Sequence, residues 1–258
     1  MKIIHVAGTS NSGKTLFIHQ LLDKMTVMFP GKVGVIKHLG HHIYDQVSDK
    51  DTSTHYEHGA AYVAGIDAEK AMVAIRNGKL SDMLDFLSDS GMEYTIIEGF
   101  KTEGFKKIIK GDLEAENCIL RDPDVNTVIN SLDNFDDYFT MQGIIKNLKN
   151  NTDISKAGAI LSFNGIVREI TGDEKTEYMD FYDYEKIDNL VNELKIDMEK
   201  VPGILGVRFH HNKGRLYAGE DVTYIAVIAS HRQEAFTAMM NAIDILKEKL
   251  HDAGKELV

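Results

Sequence analysis

The sequence predicts an α/β chain of two domains: a P-loop NTPase-like domain with a mainly parallel sheet, then a smaller α+β domain. Three observations predict it. Gly8-Thr9-Ser10-Asn11-Ser12-Gly13-Lys14-Thr15 fits the phosphate-loop pattern G-x-x-x-x-G-K-[ST] between a strand-like run and a helix-like one. Strand-like and helix-like stretches then alternate to about residue 150, as a parallel sheet covered on both faces requires. After a polar, aperiodic segment at 149–156 the alternation is no longer strict. The expected domains are 1–150 and 157–258.

Lys2 to Ala7 is a short apolar run of strand type, and Leu16, Ile18, Leu21, Leu22, Met25 and Met28 recur near helical spacing. The glycines between them let backbone N–H groups turn onto phosphate oxygens, and the helix start adds partial positive charge. Gly8, Asn11, Ser12 and Gly13 would form this cradle. Lys14 would reach the β and γ phosphates, and Thr15 would hold Mg²⁺. Lys32 to Ile36 reads as a second buried strand, running into Lys37-His38 and a polar stretch up to His58. His38, His41 and His42 make no recognised zinc pattern. A role near phosphate suits that stretch better than a metal.

Ala71 to Ile75 reads as a third strand, and Ser81 to Leu87 as a helix with a Ser cap. Tyr94 to Ile97 is a strand ending in Glu98, placed to hold Mg²⁺ through water or to orient a nucleophile. Cys118 to Leu120 and Thr127 to Ile129 suggest the last short strands, and Asp136 to Leu148 a closing helix.

In the second half, Ala157 to Arg168 opens with an apolar strand, and the charged stretch Glu169 to Glu177 reads as a loop. Ile187, Leu190, Val191, Leu194, Met198 and Val201 fall at helical spacing, stopping near Pro202-Gly203. Val207 to His211 and Val222 to Ala229 are strand-like. Gln233 to Leu250 is a long helix with Phe236, Met239, Met240, Ile243, Leu246 and Leu250 expected inward. Ser230-His231-Arg232 stands where strand passes to helix, a place that holds anions well, and Arg168 at another strand end would join it.

Composition narrows the function classes. The chain has 258 residues and a formal charge of −11, spread evenly: 16 basic and 21 acidic residues in 1–150, 13 and 19 in 151–258. Even acidity argues against general nucleic-acid binding, which leans on phosphate neutralisation. A single cysteine, Cys118, excludes an internal disulfide framework. No apolar run approaches membrane-spanning length and no signal-like start is present, so the expected compartment is the cytoplasm.

Four stretches of the first half match a known family in order: the Asn-Ser-Gly-Lys-Thr loop, Val-Gly-Val-Ile-Lys-His, Asp51-Thr52 and Ile-Glu-Gly-Phe-Lys. They resemble MobB, the P-loop adaptor of molybdopterin-guanine dinucleotide biosynthesis. The resemblance implies GTP binding with weak hydrolysis, Mg²⁺, dimerisation and partnership with the nucleotide-attaching enzyme of that pathway. It departs at Ser48-Asp49-Lys50-Asp51, where the family usually has Pro-Gly-Lys-Asp, and at His55, where a basic residue often follows.

The second half resembles MoaE, the large subunit of molybdopterin synthase, through Gly158 to Arg168, His211 to Glu220 and Ser230 to Phe236. This implies an α/β hammerhead fold and a homodimer with a small ubiquitin-like sulfur carrier at each end. It also implies sulfur transfer from the carrier's thiocarboxylate to cyclic pyranopterin monophosphate. Arg168, His231 and Arg232 match positions lining the pterin phosphate site, and Lys247 matches the lysine acting in the transfer. The family continues past the long helix with a Pro-aromatic-Lys-Lys-Glu-like segment and a second active-site lysine. Lys255 is the counterpart here, one place out of register. That departure supports a second reading, a non-catalytic scaffold binding molybdopterin or the carrier alongside GTP. A third reading, a GTPase for metal-centre assembly, rests on the His38–His42 loop.

Overall fold

The computed structural model describes residues 1–40, 51–250 and 254–257. It divides into two compact units, Met1–Tyr138 and Phe139–Val258. The first contains β1 (Lys2–Gly8), α1 (Lys14–Met28), β2 (Val33–Lys37), α2 (Asp51–Glu57), β3 (Tyr62–Ile66) and β4 (Ala71–Ile75). It continues with α3 (Leu80–Asp89), β5 (Tyr94–Glu98), β6 (Lys107–Lys110), β7 (Cys118–Arg121), α4 (Val125–Ile129) and β8 (Asp136–Asp137).

The main sheet has the order β2-β5-β1-β6-β7, all parallel, with β8 antiparallel against the start of β1. Period-two alternation along β1 sends Ile4 and Val6 to one face and Ile3 to the other. Ile4 and Val6 pack with Phe17, Ile18, Leu21 and Met25 of α1 and Val128 of α4. Ile3 packs with Ile97 and with Leu84 of α3. The strands are apolar because both faces are covered, and the loops at their carboxyl ends are where such sheets bind ligands.

The second unit contains α5 (Met141–Asn150), β9 (Ala159–Ile166), β10 (Ile170–Thr171), β11 (Glu174–Lys175), β12 (Tyr178–Phe181), α6 (Tyr184–Glu199) and β13 (Ile204–His211). Then come β14 (Gly214–Tyr217), β15 (Asp221–Ala229), α7 (Arg232–Leu250) and β16 (Gly254–Leu257). Antiparallel β13-β15-β9 forms its centre, β14-β12-β16 a second small sheet. Val207, Ile225, Val227 and Ala229 pack on Met198 of α6 and on Ala235, Ala238, Met239 and Ala242 of α7. On the other face Tyr224, Ala226 and Ile228 pack on Ile144 and Leu148 of α5.

Several sequence expectations change. The domain division falls after Tyr138, not near 150. The expected closing helix begins at Met141, capped by the Thr140 hydroxyl accepting from Gly143 N, and buries Ile144 and Leu148 in the second core. Ala71–Ile75 is no third strand of the main sheet, because it pairs with β3 as a separate hairpin. Thr127–Ile129 is helical, because Asp124 accepts from Thr127 N at 3.0 Å and starts α4. Ser81 is not the cap of α3; the Asp82 carboxylate accepts from Lys79 N instead. Phe236 and Met240 point outward, 53% and 63% exposed. The stretch 169–177, expected as a loop, contains the β10–β11 hairpin.

The placement of α5 is testable. Leu148 is 2% exposed, so Leu148→Ala should destabilise its unit by about 2–5 kcal/mol. Hydrogen exchange should accelerate in β9, β13 and β15 while β1 and β5 stay protected. The opposite pattern would return α5 to the first core.

Candidate functional site

In the first unit, β1 delivers the chain into residues 8–15 and α1 leaves them. A Cβ on Gly8 would collide with the Lys110 carbonyl at the end of β6, so only glycine allows this close approach. Asn11 adopts φ 59°. Gly13 caps α1 without any side-chain hydrogen bond, and the first turn carries no acidic residue. A 15-residue helix thus presents N–H groups with no side-chain cap and no acidic residue of its own in the first turn. These features fit an oxyanion of phosphate type.

Lys14 Nζ donates to the carbonyls of Gly8 at 3.1 Å and of Thr9, and lies 3.4 Å from Ser12 Oγ. Burial holds its pKa below the ordinary lysine value; Glu98 pulls it up, and Lys101 and Lys37 press it down. Thr15 Oγ1 donates to Glu98 Oε1 at 3.1 Å, and Lys37 Nζ is 3.2 Å from the same oxygen. The fold therefore brings Gly8, Asn11, Ser12, Gly13, Lys14, Thr15 and Glu98 to one edge. Lys37 and Lys101 were missed from the sequence as members of the cluster, though both end strand motifs singled out there.

Among the described residues no group of three or more His, Cys, Asp or Glu side chains could hold a metal ion. A hydroxyl and one carboxylate suit Mg²⁺, which keeps waters and takes further oxygens from substrate phosphates. They do not make a complete protein cage. His38 packs against Phe100 with ring centroids 4.7 Å apart and ring planes tilted by 31°. His41 and His42 lie outside the described residues.

Glu98 is placed by an unusual turn. Gly99 has φ 96°, and Phe100 follows at φ 46°. A Cβ on Gly99 would lie 2.8 Å from His38 Cβ. Gly99 N donates to Val6 O at 3.1 Å, and His38 N donates to Glu98 O at 2.9 Å.

The second unit separates its candidates. Arg168 follows β9 and is exposed; Val167 beside it is buried with Leu246 and Leu250, which flank exposed Lys247. Lys255 occupies β16, where its register partner is Asp180 of β12. His231 and Arg232 are exposed at the start of α7. In the antiparallel register β15 faces β9 with Asp221 opposite Ile166 and Ala229 opposite Ala159. Arg168 and His231-Arg232 therefore stand at opposite ends of the pair. The fifteen residue steps of α7 from Arg232 to Lys247 span about 22 Å. The expected joining of Arg168 with His231 and Arg232 does not occur within one chain.

The family model described as Molybdopterin guanine dinucleotide synthesis protein B matches residues 3–131, and that described as MoaE protein matches 137–249. A probable molybdopterin synthase of Haloferax volcanii is 25% identical over 98% of this chain and 95% of its own length. A probable molybdopterin-guanine dinucleotide biosynthesis adapter protein of Bacillus subtilis is 32% identical over 45% of this chain and 71% of its own. The crystal structure of molybdopterin synthase from Staphylococcus aureus aligns at TM-score 0.36 and 29% identity, covering 40% of this chain and 76% of that one.

The Gly99 turn gives a test. Gly99→Ala should cost about 1–3 kcal/mol, read as a lower thermal unfolding midpoint for the first unit. An unchanged midpoint would show that the turn tolerates a side chain.

Proposed function

We propose that this chain, which belongs to the MobB family through residues 3–131 and to the MoaE family through residues 137–249, acts in molybdenum cofactor biosynthesis with two separate chemical sites. The first binds GTP with Mg²⁺ and hydrolyses it weakly. The second is of the molybdopterin-synthase type and transfers sulfur from a thiocarboxylated small carrier to cyclic pyranopterin monophosphate. The chain's other partner is the nucleotide-attaching enzyme of the same pathway.

The observation that carries the nucleotide reading is the N-terminus of α1 with Lys14 folded over it. Phosphate oxygens would accept from the loop and helix N–H groups, and Lys14 would move from the loop carbonyls to the β and γ oxygens. Thr15 and Glu98 would hold Mg²⁺, which neutralises charge developing on the phosphates. Lys37 and Lys101 add positive charge around Lys14, which favours an anionic ligand.

For the second site, the split between Arg168 with Lys247 and His231 with Arg232 supports a shared arrangement. In a two-fold homodimer the α7 start of one copy meets the β9 end of the other, and each of two sites draws on both chains. Exposed Phe236 and Met240, one and two turns beyond Arg232, offer an apolar stripe for such a contact. Arg168 and Arg232 would grip the pterin phosphate by paired hydrogen bonds, with His231 beside them. Lys247, with Lys255, would move protons during the transfer. No helix among the described residues is long and apolar enough to cross a membrane; the working compartment in this reading is the cytoplasm.

Two measurements check this. Lys14→Ala should abolish GTP binding in equilibrium titration while leaving the fold intact; wild-type binding that survives the change would end the nucleotide reading. Supplied with precursor and thiocarboxylated carrier, the wild type should yield molybdopterin, and Lys247→Ala should lower the rate by about 10²-fold or more. Pterin and carrier binding without product would favour the scaffold reading.

A further inference from the structure

We infer that His5 is a positioning residue for Glu98, acting by pinning the peptide that follows it. The inference rests on the reading of Thr15 and Glu98 as the Mg²⁺ side of a nucleotide site.

His5 lies in the middle of β1, paired with Ile97 of β5 on one side and Lys107 of β6 on the other. Its neighbours in the strand are Ile3, Ile4, Val6 and Ala7, and it is 0% exposed. An imidazole in such a place costs stability unless its polar atoms are bonded. One of them is: Nε2 lies 2.7 Å from Gly99 O. A carbonyl only accepts, so Nε2 carries a proton, and burial, which lowers the pKa of the ring, favours the neutral Nε2–H form. Nδ1 is buried without a hydrogen-bond partner. An apolar residue would fill this position without leaving an orphan nitrogen. The histidine therefore has one polar function here, which is to hold the Gly99 carbonyl.

That carbonyl belongs to the turn that places Glu98. β1 grips the turn twice, through Val6 O to Gly99 N at 3.1 Å and through His5 Nε2 to Gly99 O. Both residues of the turn, Gly99 and Phe100, have positive φ. A backbone held in this region persists only where its surroundings fix it. The Glu98 carboxylate, one residue earlier, is 3.1 Å from the Thr15 hydroxyl and 3.2 Å from Lys37. A peptide free to rotate at Gly99 would let that carboxylate drift from Thr15. Outer groups that orient a ligating carboxylate affect metal affinity without touching the metal.

The test compares full-length wild type, His5→Leu and His5→Gln. Leucine fills the space without a donor, whereas the glutamine amide places an N–H near the position of Nε2. Hydrogen exchange at residues 99–101, without nucleotide, should speed up by about tenfold in His5→Leu and little in His5→Gln, with β5 amides unchanged in both. With GTP present, the Mg²⁺ concentration for half-saturation should rise by about tenfold or more in His5→Leu and return toward wild type in His5→Gln. GTP binding in excess chelator should stay within about twofold, since Lys14 and the loop are untouched. The inference is overturned by unchanged exchange at the turn in His5→Leu, by equal loss of binding with and without Mg²⁺, or by glutamine faring no better than leucine. A wild type that binds no GTP overturns the Mg²⁺ role together with the nucleotide reading. The exchange result then still decides separately whether His5 holds the turn.

Discussion

The packing of β15 against α7 governs what the second unit can do. Tyr224 to Ala229 are all buried, and the strand is clasped between β13 and β9. Helix α7 rises directly from its end and lays Ala235, Ala238, Met239 and Ala242 along it. The small alanines permit close approach of helix to sheet, and the apolar contacts along the length make the pair stiff. Such a rod does not bend to bring its ends together. Arg168 and Lys247 are therefore kept at one end and His231 with Arg232 at the other, and a single pterin phosphate cannot reach all of them on one chain. The proposed dimer follows from that rigidity.

The first unit is organised the opposite way. Its candidate residues come together through local backbone geometry: a glycine loop pressed against the end of β6 and a positive-φ turn after β5. Only Glu98 and the lysines must be brought in from elsewhere, and parallel pairing of β5 to β1 and of β2 to β5 does this by aligning the strand ends. The consequence is a compact cationic edge that includes Glu98, suited to a phosphate chain and a hydrated divalent ion.

The same contrast explains what could be read from the sequence. The loop at 8–15 was legible because its spacing encodes a local conformation, and Glu98 because an acidic residue closing an apolar run stands out. The long helix was legible as a helix, but not its inward face. Phe236 and Met240 fit the helical period as well as Met239 does, and only the packing of α6 and the sheet decides between them. The sequence pattern places helix α5 roughly where it stands but suggests the wrong core, because an amphipathic stripe does not say which sheet it covers. Thr127-Val128-Ile129 looked like a strand through its β-branched residues, yet the Asp124 cap a few residues ahead made it helical. The separation of Arg168 from Arg232 was not legible at all, since register is set by long-range pairing and not by local pattern.

In the proposed arrangement the second site is shared between two copies. Its most direct measurement mixes two variants, Arg232→Ala and Lys247→Ala, after joint unfolding and refolding, and assays sulfur transfer from a thiocarboxylated carrier. Each variant alone is expected to be inactive. Random pairing makes about half of the dimers mixed, each with one intact site of two, so the mixture should recover about a quarter of wild-type activity. A mixture as inactive as its components, while still dimeric, would contradict the shared site.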